Sequence, residues 1–85
     1  MTSTDDGMIR LLNQVRRHKG HVELAAVSDE SRLREDLLLD SLDLAELTVR
    51  IEERFGVDVF REGIVSQWGQ VRSRVHHHVE NKPVG

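Results

Sequence analysis

The sequence predicts an all-α fold, a small antiparallel bundle of three longer helices and one short helix. Three segments repeat apolar residues at helical spacing, and Gly20 and Gly56 follow the first two segments as stop signals. The chain has 85 residues and no cysteine, so we expect a single small domain without disulfides or thiolate metal sites. Its ordered core is expected over residues 7–79, with flexible tails at residues 1–6 and 80–85.

The first helix is expected to begin at Asp5 or Asp6, either of which can cap it, and to end near Lys19. Basic residues in its last turn complement the helix dipole, so the local basicity needs no ligand to explain it. Apolar residues recur at helical spacing, and they are Met8, Ile9, Leu11, Leu12 and Val15.

A long connection over residues 20–39 follows, and in a compact domain such a segment must be held against the helices. We expect apolar side chains to hold it on both sides of a polar break at Ser28–Ser31. The expected anchors are Val22, Leu24, Val27, Leu33 and Leu37.

The second helix has the most periodic pattern in the chain, from Ser41 to Phe55. At about 100° per residue, its inward face consists of Leu44, Leu47, Thr48, Ile51 and Phe55. The opposite side combines apolar and acidic residues, whereas a solvated face normally has mixed charge and few apolar residues. We interpret this side as a docking face for basic partners, and its residues are Leu42, Asp43, Glu46, Val49, Glu52 and Glu53.

The last third of the chain is expected to contain the short helix or 3₁₀ turn, over residues 61–65, and one longer helix. Ser66 can cap this last helix, while Gly69 weakens its first turn. Its expected inner face, with Trp68 closing the bundle, consists of Trp68, Val71, Val75 and Val79.

Charge is unevenly distributed along the chain. The net charge is −3, but residues 20–60 hold eleven acidic and four basic residues, while residues 1–19 and 61–85 each carry +2. An acidic middle argues against nucleic acid, which requires a basic patch, and is suited to steering towards cationic enzyme surfaces. With no membrane-spanning stretch and no signal-peptide pattern, we expect a cytoplasmic protein that does not bind membranes.

The sequence predicts neither a metal site nor catalytic residues. His76, His77 and His78 are consecutive, so on a helix they point about 100° apart and cannot converge on one ion. No G-x-S-x-G elbow surrounds Ser41, and the histidines cluster in other elements.

The segment from Leu33 to Phe60 resembles the acyl and peptidyl carrier protein family. The residues that carry the resemblance are Leu33, Asp36-Leu37, Asp40-Ser41-Leu42-Asp43, Glu46-Leu47 and Ile51-Glu52-Glu53-Arg54-Phe55-Gly56-Val57. In that family the serine of Asp-Ser-Leu opens the second helix and carries 4′-phosphopantetheine. The resemblance therefore implies a carrier-like bundle, covalent 4′-phosphopantetheine on Ser41, and a role for Asp40 in positioning that serine.

Physical chemistry favours such an attachment at this place. A phosphodiester on Ser41 adds about one negative charge at a helix start, where unpaired N–H groups and the helix dipole favour an anion. One departure from the family is Leu38, where many fatty-acid carriers have glycine. The resulting run of three leucines is similar to that of some D-alanyl and peptidyl carriers.

The resemblance implies a freestanding, monomeric carrier that does no chemistry itself and holds an acyl or aminoacyl group as a thioester. Its expected partners are a phosphopantetheinyl transferase, an acyl- or aminoacyl-loading ligase, and synthases or transferases of fatty-acid-like, polyketide or nonribosomal-peptide biosynthesis. Two alternatives remain open. One is an aminoacyl carrier loaded by a dedicated adenylating ligase; the other is an unmodified helical adaptor in which Ser41 serves only as part of a helix cap.

Overall fold

The computed structural model describes residues 3–61, 63 and 65–80. They form three helices, α1 (Thr4–Arg17), α2 (Ser41–Phe55) and α3 (Trp68–Glu80). The predicted all-α fold is confirmed, and the described residues contain no strand beyond one isolated bridge. In the segment predicted as the short helix, Arg61 lies in a turn and Gly63 in a bend, so the described residues form no helix there.

Helices α1 and α2 lie antiparallel, because the start of α1 meets the end of α2 and the end of α1 meets the start of α2. A Cβ atom on Gly7 would lie 3.3 Å from the ring of Phe55. At the other end, Nζ of Lys19 lies 2.8 Å from Oδ2 of Asp43. This arrangement brings the connection between the two helices back beside Ser41.

All three helices contribute to one apolar core. Its buried helical residues are Met8, Leu12, Val15, Leu47, Ile51, Trp68, Val71 and Val75. The connections add Leu33, Leu37, Leu39, Val59 and Val65. The predicted inward face of α2 is confirmed, with Leu47 and Ile51 fully buried and Leu44, Thr48 and Phe55 partly buried.

Two predicted core positions are wrong. Val22 is 81% exposed, because the connection is held there by its backbone: the guanidinium of Arg16 donates to the Val22 carbonyl oxygen at 2.7 Å. Val79 is 38% exposed, so the buried stripe of α3 ends one turn earlier, at Val75.

Buried polar residues of α1 hold the connection that follows. The side-chain amide of Asn13 donates to the carbonyl of Leu24 at 2.8 Å and accepts from its N–H at 2.9 Å. Arg16 also donates to the carbonyl of Leu37 at 3.2 Å. Because buried polar groups need partners, these contacts fix the loop as well as satisfying both side chains.

The caps of α1 differ from the prediction at its start. Ser3, and not Asp5 or Asp6, caps the helix by accepting from the N–H of Asp6 at 3.1 Å. Helix α1 starts at Thr4, so the predicted tail is wrong for residues 4–6, and Asp5 pairs with Arg72 and His76 of α3. The predicted C-terminal tail is wrong for Glu80, which ends α3, and the predicted tails at residues 1–2 and 81–85 lie outside the described residues.

The start of α3 is also capped differently. The side-chain oxygen of Gln70 accepts from the N–H groups of Ser66 and Gln67, so the predicted cap by Ser66 is wrong. The next two N–H groups, of Trp68 and Gly69, donate to carbonyls of the connection. A Cβ at Gly69 would lie 2.8 Å from Cβ of Asp29, so the absence of a side chain permits this contact.

The buried face of α2 gives a stability prediction with a matched control. Leu47→Ala should lower the free energy of unfolding by about 2–5 kcal/mol, because it empties a fully buried site. Leu42→Ala on the opposite side should change it by less than about 0.5 kcal/mol, because Leu42 is exposed. Urea unfolding measures both, and equal effects would show that α2 is rotated from the orientation described.

Candidate functional site

Ser41 is the first residue of α2, and its side chain is exposed. The preceding residue, Asp40, is the N-cap, as predicted for one of these two residues. Oδ1 of Asp40 accepts from the N–H of Asp43 at 2.9 Å, and Oδ2 of Asp43 accepts from the N–H of Asp40 at 3.0 Å. This reciprocal capping box fixes the backbone on which Ser41 stands.

Lys19 ties the end of α1 to this cap. Its Nζ donates to Oδ2 of Asp40 at 3.1 Å and to Oδ2 of Asp43 at 2.8 Å. The pKa of Asp40 is lowered by the Asp43 N–H that it accepts and by Lys19, while the pKa of Lys19 is raised by Asp43 and Asp40. Asp40 and Lys19 therefore remain charged around neutral pH.

Asp43 requires a correction to the predicted docking face. Its side chain is only 11% exposed and is held by Lys19 and by the cap of α2. Asp43 is therefore a largely buried member of the cap, and little of its carboxylate is exposed on the predicted docking face.

Leu38 adopts a left-handed conformation with φ 60° in the turn that leads to Asp40. A non-glycine residue in this region costs roughly 1–2 kcal/mol, a cost that glycine would avoid. Buried neighbours hold the turn here, because Leu37 and Leu39 both lie in the core. The N–H of Leu39 also donates to the carbonyl of Leu33 at 3.0 Å.

Arg34 is a site residue that the sequence analysis missed. Its Nη2 donates to Oγ of Ser41 at 3.1 Å. A guanidinium has no acceptor, so Oγ accepts in this contact and the serine proton is left for another acceptor. The only sequence signal is a basic residue seven positions before Ser41, and neither helical periodicity nor the family motif marks it.

A groove of about 580 Å³ opens beside Ser41. The described residues that line it are Arg34, Ser41, Leu44, Ala45, Thr48, Phe60, Arg61, Gly63 and Val65. The groove joins a largely apolar wall to a basic rim, and an exposed alcohol stands at its edge.

The docking face presents exposed apolar residues as predicted, with Leu42 79% and Val49 53% exposed. Its acidic residues differ from one another. Glu46 lies 3.3 Å from Nδ1 of His18 and 3.7 Å from Arg50, whereas Glu52 and Glu53 are exposed and make no ion pair with a described residue. Glu52 and Glu53 therefore contribute most of the negative charge left on this face.

The residues that the structure describes hold no cluster of three or more potential metal ligands. His76 instead lies 2.7 Å from Oδ1 of Asp5, where it links α3 to α1. No helix within the described part of the chain is long and apolar enough to cross a membrane.

Comparisons with known proteins agree with the position of the site. The family described as "Phosphopantetheine attachment site" matches residues 21–62, which include Ser41. "Acyl carrier protein MbtL" of Mycobacterium sp. is 31% identical over 86 residues, covering 99% of this chain and 97% of that protein. An "Acyl carrier protein" of Rubrobacter xylanophilus is 47% identical over 38 residues, which are 45% of this chain and 47% of that protein. No solved structure gives a significant match.

The lowered pKa of Asp40 predicts a loss of stability in acid. A carboxylate with a lowered pKa in the folded state stabilises the fold above its ordinary pKa of 3.8, and this contribution disappears as the pH falls below that value. Asn is an equally good N-cap, so Asp40→Asn removes mainly the charge. At low salt the wild type should be more stable than Asp40→Asn near neutral pH, and the difference should shrink below pH 3.8.

Unfolding in urea at a series of pH values measures this difference. When Lys19→Met is combined with either protein, the effect of Asp40→Asn on the free energy of unfolding should be smaller and less dependent on pH. The reason is that Lys19 is one cause of the lowered pKa of Asp40. Parallel curves for wild type and Asp40→Asn would contradict the assignment of the charged cap.

Proposed function

Because the chain belongs to the acyl carrier protein family, whose members bind 4′-phosphopantetheine, we propose that Ser41 is the attachment residue. The protein is a carrier with covalent 4′-phosphopantetheine in acyl- or peptide-type biosynthesis. The observation that supports Ser41 most directly is its exposed hydroxyl on the first residue of α2, within the matched residues 21–62.

The residues around Ser41 are compatible with this prosthetic group. A phosphodiester there would stand at the positive end of the α2 dipole, next to the guanidinium of Arg34. The adjacent groove of about 580 Å³ has an apolar wall that can contact the chain of the arm. When attached, the group supplies the thiol that holds an acyl or aminoacyl cargo as a thioester.

Each residue of the cap has a part in presenting Ser41. Asp40 and Asp43 fix the helix start, and Lys19 fixes both carboxylates to α1. The hydroxyl accepts from Arg34, so its own proton can be donated to a base of the modifying enzyme. In this proposal the protein does no chemistry itself, and a phosphopantetheinyl transferase modifies it.

The docking face is the proposed contact surface for that transferase and for the ligases and synthases that load and use the cargo. Leu42 and Val49 provide an exposed apolar centre, and Glu52 and Glu53 provide negative charge beside it. Complementary charges act mainly on the rate of association. A partner with a basic surface and an apolar pocket would fit these residues.

The attachment residue is tested by intact mass. Incubation with coenzyme A and a broad-specificity phosphopantetheinyl transferase should add one phosphopantetheine to the wild type and none to Ser41→Ala, because the acceptor oxygen is gone. Ser73→Ala is the matched control, since it removes an exposed hydroxyl from α3, and it should gain the full mass. A folded Ser41→Ala that still gains the mass would refute the assignment, and an unmodified wild type with several transferases would favour the adaptor alternative.

The docking face is tested by charge reversal. Glu53→Lys should slow modification more than Glu46→Lys, because the charge of Glu46 is already partly compensated by Arg50. The slowing should shrink as salt is raised, because exposed charges are screened beyond about 8 Å at physiological ionic strength. Leu42→Ala should slow modification with little dependence on salt, because it removes apolar contact area.

Initial rates over a salt series give the comparison, with circular dichroism to verify folding. Glu23→Lys reverses an exposed carboxylate in the connection after α1 and should leave the rate near that of the wild type. Equal modification rates for Glu53→Lys, Leu42→Ala and wild type at low salt would refute the docking face. They would not affect the assignment of Ser41 as the attachment residue.

A further inference from the structure

We propose that Arg34 binds the phosphodiester of the prosthetic group and thereby holds the base of the arm against the protein. This inference rests on the proposed attachment at Ser41. It concerns a residue outside the attachment motif, and it assigns to the connection between α1 and α2 a binding role as well as a structural one.

The backbone around Arg34 is fixed, so its side chain starts from a defined place. Leu33 is buried on one side, and the N–H groups of Asp36 and Leu37 both donate to the carbonyl of Arg32 at 3.0 Å. The carboxylate of Asp36 also accepts from the N–H of Arg32 at 2.7 Å. The guanidinium of Arg34 is therefore carried to Ser41 by an ordered turn.

The charge of Arg34 has no counterion among the described residues. Its neighbour Arg32 lies 3.3 Å from Asp36 and 3.7 Å from Glu35, whereas within the described part of the chain Arg34 has only the neutral hydroxyl of Ser41 as a partner. A guanidinium recognises phosphate and carboxylate oxygens through charged hydrogen bonds, which are stronger than a bond to an alcohol. The positive charge thus lies where the modification would place a negative one.

The geometry allows the partner to change with little movement. In the unmodified protein Nη2 of Arg34 lies 3.1 Å from Oγ of Ser41. Once that oxygen is esterified, the two charged oxygens of the phosphodiester are only two bonds away from it. A small rotation of the guanidinium can therefore replace a hydrogen bond to a neutral hydroxyl by hydrogen bonds of about 2.7–2.9 Å to charged oxygens.

The test uses the full-length protein carrying 4′-phosphopantetheine on Ser41, with the site of attachment first established by tandem mass spectrometry. The samples are wild type, Arg34→Gln, Arg34→Lys and Arg10→Gln. Arg10 is the matched control because it is an exposed arginine at the end of α2 opposite to Ser41. It lies on α1 one turn from Gly7, and Gly7 lies near Phe55, the last residue of α2. Phosphorus NMR then observes the phosphodiester directly, without a partner enzyme.

At low salt the phosphodiester resonance of Arg34→Gln should be displaced from that of the wild type, while Arg10→Gln should coincide with the wild type. Added salt should move the wild-type resonance towards that of Arg34→Gln, because an exposed ion pair is screened. Arg34→Lys keeps the charge but loses the planar fork, so its resonance should lie between the two.

Thermal unfolding gives a second measurement. Attachment of the arm should raise the Tm of the wild type relative to Arg34→Gln by roughly 1–8 °C, the range expected for one exposed ion pair in a domain of this size. The unmodified forms of the two proteins should melt alike, which also verifies that Arg34→Gln folds. If Arg34→Gln proves unstable, Arg34→Lys gives the comparison at smaller amplitude, because it keeps the charge but loses the planar fork.

The outcomes separate this inference from the function on which it rests. If Ser41 accepts no arm, the proposed attachment and the role of Arg34 are both refuted. If Ser41 is modified but the resonances of wild type and Arg34→Gln coincide at low salt, only the role of Arg34 is refuted. A slower modification of Arg34→Gln with an unchanged resonance would likewise refute it, and would place the contact on coenzyme A during transfer instead.

Discussion

The buried guanidinium of Arg16 closes the connection on which the site depends. It donates to the carbonyl of Val22, where the connection leaves α1, and to the carbonyl of Leu37, where it approaches α2. The side chain is satisfied by two neutral carbonyls, and no described carboxylate pairs with it. Because an unsatisfied buried charge is costly, the loop cannot move away without leaving this group unpaired. Both ends of a long segment are thereby held by one residue.

Lys19 extends this constraint from the loop to the start of α2. Arg16 fixes the carbonyl of Leu37, the next residue takes the left-handed turn, and Asp40 then caps the helix in contact with Lys19. The serine at the start of α2 thus stands on a backbone held by two cations, Arg16 of α1 and Lys19 just beyond its end. The proposed attachment at Ser41 would use this combination, because the hydroxyl is exposed to an enzyme while its backbone is held in one position.

The helices and their buried faces could be predicted from the sequence, because helical periodicity is a local signal. Leu47, Ile51, Trp68 and Val75 are examples, and each is buried as expected. The polar contacts could not be predicted in the same way. Gln70 replaced Ser66 as the cap of α3, and which side chain reaches the free N–H groups depends on the path of the preceding loop.

In the candidate site too, local features could be predicted from the sequence, whereas contacts between distant segments could not. The cap by Asp40 follows from local residue preference, but the burial of Asp43 and the contact of Arg34 with Ser41 arise from the folded connection. The net charge of a segment also does not predict which charge lies next to Ser41. Residues 20–60 are acidic as a whole, although the side chain that donates to Oγ of Ser41 is a cation.

The distribution of charge around Ser41 separates two kinds of recognition. Glu52 and Glu53 lie on the docking face, where negative charge can attract a basic protein surface. Arg34 lies at the groove, where positive charge can hold a phosphodiester. If the same face had to do both, the attached phosphate would repel the acidic residues that attract the enzymes. Under the proposed function, separate placement of the two charges would let the modified Ser41 and the acidic face engage one partner at the same time.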